Sequence, residues 1–284
     1  MINILSAYHR KIEKSFVRNY HKTRKFYSVE SIHKLRLSIK RLRAFLKILR
    51  NFDKESVSEK LLKKINLLFK HSGAIRDMQV QSVLMENYRE VAGTDFDLYL
   101  TRINTKRIKA CKTLKKSFKK IEIQEIAKIG KSIDLSLSGL RSRNFNEEYS
   151  QLAEKKVGDI WDLIIAINDD SVLHLVRKRM KEILFMQEII NSEKNQRILN
   201  DDILRFFADM EIKLGAWHDL KVLLDHFIGF EHIGESYRNV LERIEQDKLK
   251  IQAEIVDRFS CYFALSRQGS NLDSSEPKSD VLPV

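Results

Sequence analysis

No proline interrupts residues 1–276; both prolines of the chain, Pro277 and Pro283, lie in its last segment. A proline inside a helix removes a backbone hydrogen bond and clashes with the preceding turn, so nothing here opposes long helices. Apolar residues recur at spacings of three and four along the chain. Leu61, Leu62, Ile65, Leu68 and Phe69 form one such set, and Val172, Leu175, Val176, Met180, Ile183 and Leu184 form another. This is the helical period, and no segment alternates convincingly as a strand would. The chain therefore reads as all-α, with roughly ten helices. Ser28 and the run Asn168-Asp169-Asp170-Ser171 have the chemistry of helix N-caps. Gly73, Gly93, Gly139, Gly215 and Gly229 are candidate turns or helix ends. A length of 284 residues with 43% hydrophobic content is enough for one large or two ordinary domains.

One predicted helix carries a row of cations. From His33, basic residues follow at Arg36, Lys40, Arg43 and Lys47. At 100° per residue these five fall within an arc of about 80°. Leu35, Ile39, Leu42, Leu46 and Leu49 fall on the opposite side, so one face is cationic and the other apolar. Arg41 lies beside the row rather than in it. A basic helix face is usually just solvated, but such a face commonly mixes acids with its cations. From Ile32 to Phe52 there is no acid at all. A row of like charges repels itself and calls for a long anionic partner.

The signature occurs twice. His174 is followed by Arg177 and Lys181 at the same +3 and +7 positions, with Lys178 at the edge. A second block, Gly73-Ala74-Ile75-Arg76-Asp77, returns as Gly215-Ala216-Trp217-His218-Asp219. The offset from Gly73 to Gly215 equals that from Asp77 to Asp219 and differs by a single position from that between His33 and His174. Two paired blocks in one order, at nearly one offset, point to an internal repeat of helical halves. The second copy is weaker: Glu182 and Leu184 stand where the first has Arg41 and Arg43, and Glu188 stands at the angle of Lys47. The first half spans 1–140, the second 141–265, with the join near residues 136–146. The polar tail, 266–284, lacks apolar periodicity and reads as disordered.

Charge is segregated in the same way. Residues 1–140 hold 32 Lys and Arg against 13 Asp and Glu, a net of +19; the remainder holds 20 against 26, a net of −6. Solubility alone would not segregate charge like this. The balance favours nucleic acid, an anionic membrane surface or another polyanion. A further basic row, Arg102, Lys106, Lys109, Lys116 and Lys120, adds to the first half. Cys111 and Cys261 are too isolated for a metal site or disulfide framework and read as reduced, partly buried thiols. Met1-Ile2-Asn3-Ile4 opens no secretory signal, and the apolar run Ile160–Ile167 is far too short to span a bilayer. These observations predict a cytoplasmic protein.

The His-headed basic helix, present once per half, and the Gly-x-x-x-Asp blocks resemble the CHAD (conserved histidine α-helical domain) family over roughly residues 1–265. The resemblance implies two helical bundles related by a pseudo-two-fold axis. It also implies inorganic polyphosphate bound along a basic central groove or pore, at polyphosphate granules. The implied binding residues are His33, Arg36, Lys40, Arg41, Arg43, Lys47, Arg102, Lys106, Lys109, His174, Arg177, Lys178 and Lys181. Members of the family often follow a triphosphate tunnel domain marked by a Glu-x-Glu-x-Lys strand. No such strand occurs in this sequence, which predicts a stand-alone module.

Polyphosphate suits such a helix: the row offers a donor about every 5.4 Å turn, with Arg forks and Lys point charges for the phosphate oxygens. Nucleic acid is the alternative ligand, but the rows lack interleaved aromatics for base stacking. A polyphosphate-processing enzyme is the other alternative. His71, His218, Asp77 and Asp219 are the residues that could suggest metal or acid–base chemistry. The two acids read instead as partners of nearby cations or as caps of helices beginning after Gly73 and Gly215. With no carboxylate cluster, phosphate loop or nucleophile–base pair, no catalytic residue, metal or cofactor is expected. Trp161 and Trp217 are expected in the core.

Overall fold

The computed structural model describes residues 2–53, 59–120, 133–135, 137–139, 145–167, 169–194, 198–229 and 235–272. These are almost entirely helical, and no strand occurs among them. We number the α-helices α1 (Ile2–Lys25), α2 (Val29–Phe52), α3 (Glu59–Met85), α4 (Arg89–Ala92), α5 (Thr94–Phe118), α6 (Phe145–Ile164), α7 (Asp170–Lys194), α8 (Asp201–Ile228) and α9 (Glu235–Leu272). The expected join falls largely outside the described residues. Helix α9 continues to Leu272, into the segment expected to be disordered; residues 273–284 lie outside the description.

Local chemistry sets the helix ends. The Ser28 side chain accepts from the Ser31 amide at 3.2 Å and starts α2. Asp169 Oδ1 accepts from the Ser171 amide at 2.6 Å and starts α7. Gly93, with φ of 50°, sits at the turn between α4 and α5, a conformation that glycine adopts without cost. Gly229 ends α8. Gly73 and Gly215 end nothing: both lie inside long helices, and residues 137–139, including Gly139, are helical. The expectation of helices beginning after Gly73 and Gly215 is thus corrected.

The apolar faces bury as their spacing requires. In α1 these are Leu5, Tyr8, Ile12, Phe16 and Tyr20; in α2, Leu35, Ile39, Leu42, Leu46 and Leu49. Each such side chain contributes about 2 kcal/mol when removed from water. Three core clusters result. The first joins α1 and α2 to α3, the end of α5, the start of α6 and the end of α7. The second joins the ends of α3 and α8 to α4, α5 and α9. The third lies among α6, α7, α8 and α9, around the fully buried Trp217, with Trp161 packed at its edge. Helices from both sides of residue 140 thus share the first two clusters. Buried phenols are satisfied: Tyr20 donates to Phe118 O at 2.8 Å and Tyr149 to Met186 O at 3.1 Å. Cys111 is half-buried as expected, while Cys261 lies on the exposed side of α9. No described helix is long and apolar enough to cross a membrane.

His9 interrupts the apolar face of α1. It is 1% exposed and stacks on Phe45 with ring centroids 5.4 Å apart. Burial, opposed by Asp134 and assisted by Arg10, pushes its pKa down to about 4. The folded state therefore holds His9 neutral while the unfolded chain protonates it near 6.5. Its contribution is full above that value and is lost as pH falls toward 4. At pH 5 the loss is on the order of 2 kcal/mol. Urea unfolding at pH 7 and pH 5 is expected to show that drop in the native chain and a smaller one in His9→Leu. Equal pH dependence in both would place the effect elsewhere.

Candidate anion-binding cleft

Helix α2 packs against α3 and α7, and this places the two cationic rows together. A cleft of about 560 Å³ lies between them. Its walls carry Lys40, Arg43, Lys47 and Arg50 from α2 and His174, Arg177, Lys178 and Lys181 from α7. Phe69 of α3 and Phe185 of α7 line it as well. Stripe positions from opposite halves of the sequence therefore face one space.

Lys40 shows how strongly the cations crowd. Burial, then the charges of Lys181, Arg36 and Arg177, push its pKa down to about 8, with Glu211 opposing. Among the described residues no carboxylate lies within ion-pair distance of Lys40 or Arg43. His33 and His174 are also held below the usual histidine range. Burial is the first cause in both, followed by Arg76 and Lys40 at His33 and by Arg177 and Lys178 at His174. The free protein thus favours neutral histidine at the head of each row, and of the two only His174 lines the cleft. The His174 ring lies 5.2 Å from that of His218, whose pKa burial and Arg177 push down to about 4.

The Gly-x-x-x-Asp blocks serve the rows directly. Arg36 extends over α3, where its Nη1 donates to Phe69 O at 2.9 Å and its guanidinium lies 4.4 Å from the Phe69 ring centre. Arg43 lies 4.5 Å from the same ring. One aromatic thus seats two guanidinium groups, a favourable contact for a partly desolvated cation. Gly73, one turn after Phe69, leaves the slot for Arg36: a Cβ there would stand 2.7 Å from Arg36 Nη1. In the second copy Arg177 Nη2 would lie 3.8 Å from a Cβ on Gly215. Asp77 and Asp219 sit one turn further along α3 and α8. Burial raises the pKa of each, while Arg36 and Arg177, respectively, act most strongly to lower it. They lie in the field of those arginines, without an ion pair among the described residues, and they cap no helix.

Several expected positions lie elsewhere. Arg41 does not line the cleft; its Nε lies 2.7 Å from Glu188 of α7. Lys47 lines it but pairs with Glu182. These pairs are reciprocal. Counted from the two histidines, Glu182 takes the place of Arg41 in the second copy, and Glu188 takes the place of Lys47. The acids that weaken the second stripe are thus the partners that lock α7 to α2. Glu182 also takes Lys156 of α6 at 2.9 Å, and Lys156 is 7% exposed. Burial works against the Glu182 charge, but Lys47 and Lys156 together hold its carboxyl below the usual range. The α5 row is separate from the cleft: Arg102 donates to Gly229 O at 3.0 Å, at the end of α8, and Lys106 and Lys109 are exposed. Residues that sequence reasoning missed are Arg50, Phe69, Arg76, Phe185 and Glu211. Only Arg76, beside Asp77 in the repeated block, carried a sequence signal. Among the described residues no group of three or more His, Cys, Asp or Glu is placed to hold a metal ion.

Two outcomes follow from these contacts. Gly215→Ala, whose Cβ would make only an ordinary contact with Arg177, is expected to gain up to about 1 kcal/mol from helix propensity. Gly73→Ala displaces the Arg36 fork from Phe69 O, so it is expected to gain less and to weaken anion binding; thermal melts with binding titrations compare the two. A double-mutant cycle at Arg41 and Glu188 is expected to show coupling of about 0.5–1 kcal/mol, given their partial exposure. Chemical denaturation of Arg41→Glu, Glu188→Arg and the double exchange measures it, and strictly additive losses would mean the pair does not join the helices.

The fold has solved counterparts. The crystal structure of the CHAD domain from the plant Ricinus communis is similar with a TM-score of 0.69 at 16% identity, covering 89% of this chain and 87% of that one. PptA from Streptomyces chartreusis is similar with a TM-score of 0.64 at 13% identity, covering 93% of this chain and 99% of that one. At such identities the likeness shows a shared fold. No curated protein matches the chain. Residues 14–228, well over half of the sequence, match the CHAD domain family, and the chain belongs to that family.

Proposed function

We propose that this chain binds inorganic polyphosphate in the cleft between α2 and α7, without catalysing its turnover. The observation that carries the reading is the meeting of Arg43, Lys40, Arg177 and Lys181 around one cleft, with the first two lacking a carboxylate partner among the described residues. A ligand with about one charge per phosphate fits such a row. It needs no base-reading groups, only donors repeated along a line. Membership of the CHAD family supports the same ligand, and a polyphosphate granule is where such a module would be held. The placement of the charges favours α2 as the stronger wall. Arg36 and Arg43 rest on an aromatic ring, whereas Arg177 and Lys181 face Glu211.

One titration series tests the reading. Long-chain polyphosphate is expected to bind with affinity that falls steeply as salt rises, by the counterion-release logic of nucleic-acid binding. It is also expected to outcompete DNA and RNA of matched charge. In the same series, Arg36→Glu/Lys40→Glu/Arg43→Glu should weaken binding more than Arg177→Glu/Lys181→Glu. Equal or tighter binding of nucleic acid overturns the ligand assignment, and phosphate release from polyphosphate with Mg²⁺ overturns the non-catalytic part.

A further inference from the structure

The two walls of the cleft differ at one repeated position. Phe69 lies one helical turn before Gly73, and Glu211 lies one turn before Gly215, so the two side chains occupy matching places in the repeated block. In the first copy the aromatic ring seats Arg36 and Arg43 and adds no charge. In the second copy the Glu211 carboxylate lies 2.8 Å from Lys181 Nζ and 4.0 Å from Arg177 Nη2. Lys181 and Arg177 are the same cations that line the cleft. A carboxylate within hydrogen-bonding distance of a lysine and beside an arginine occupies the coordination that a phosphate oxygen would take.

We infer that Glu211 is a built-in competitor for the α7 cations, so that a phosphate chain long enough to span the cleft has to displace it while a short one does not. This rests on the polyphosphate reading and deepens it. A short anion can satisfy itself on Lys40 and Arg43 of the α2 wall, where no carboxylate among the described residues must leave. To reach Arg177 and Lys181 a ligand must displace Glu211. A short chain gains only one or two contacts by doing so. A long chain already anchored on α2 presents its next phosphates at high local concentration, so it can meet that cost where a short chain stays on α2. A ligand confined to α2 is then indifferent to Glu211, and one that spans the cleft is not. Glu182 does not play this part: its carboxylate joins α7 to the buried Lys156 and to Lys47 of the opposite wall.

The test compares tripolyphosphate with long-chain polyphosphate on the full chain. Glu211→Gln keeps the shape and removes the charge. It is expected to tighten long-chain polyphosphate binding about tenfold, the scale of one charge-assisted hydrogen bond no longer contested. Tripolyphosphate, held on α2, should tighten much less. The salt slope for long-chain polyphosphate should steepen as further cations become available. A second variant reads the same device from the other wall: Phe69→Glu, checked for folding by its thermal melt, should weaken tripolyphosphate most. If Glu211→Gln changes both ligands by the same factor, or neither, the competitor role is overturned while the binding site stands. If the native chain binds neither ligand, the polyphosphate reading itself fails.

Discussion

Two rows of like charge held face to face repel each other, and the rest of the molecule is arranged around that repulsion. Burial first, and then the charges of Lys181, Arg36 and Arg177, bring the pKa of Lys40 down to about 8, which corresponds to about 3 kcal/mol of work against its ordinary ammonium form. What holds the rows in place lies on their far sides. Leu35, Ile39, Leu42, Leu46 and Leu49 anchor α2, while Val176, Met180 and Ile183 anchor α7. At about 2 kcal/mol per buried side chain, either face outweighs the combined burial and repulsion at one lysine. Beside the cleft, Arg41–Glu188 and Lys47–Glu182 tie the helices together, so the same pair of elements repels inside and attracts at its margins.

That reciprocity changes the meaning of the weaker second stripe. Read along the sequence, Glu182 and Glu188 shorten a cationic track. In the fold, each meets the cation that occupies the other's place in the first copy. Had the second copy kept Arg and Lys there, those positions would face like charges. The departure from the repeated pattern is therefore a structural requirement of bringing the copies together, and it assigns Arg41 and Lys47 largely to holding the walls.

The sequence made legible whatever depends on one helix at a time. Absence of proline, the three–four spacing, the Ser28 cap and the division of α2 into apolar and cationic faces all follow from local rules, and each appears in the structure. Glycine misleads for a physical reason. Gly73 and Gly93 look alike in one dimension, yet Gly93 supplies a positive φ and Gly73 supplies an absent Cβ beneath Arg36. Only the second helix distinguishes them. The same holds for Arg102, which lies on the predicted basic face of α5 but spends one donor on the end of α8. The roles of Phe69 and Glu211 were equally hidden, because a repeat spacing locates a position without showing which cation reaches it.

The cleft therefore has two ways of limiting its own charge. At the α7 wall a carboxylate does so: Glu211 of α8 offsets Arg177 and Lys181. At the centre a proton equilibrium does so: Lys40 is still largely charged at pH 7 and loses its proton well before an ordinary lysine. On α2 neither applies to Arg43, while Arg36 has only the field of Asp77 acting to offset it. Burial lowers the pKa of Arg36 and Arg43, but a guanidinium starts so high that it stays charged, and the Phe69 ring adds no countercharge. The most persistent charge of the site is consequently that of Arg43 on the α2 wall, seated on Phe69.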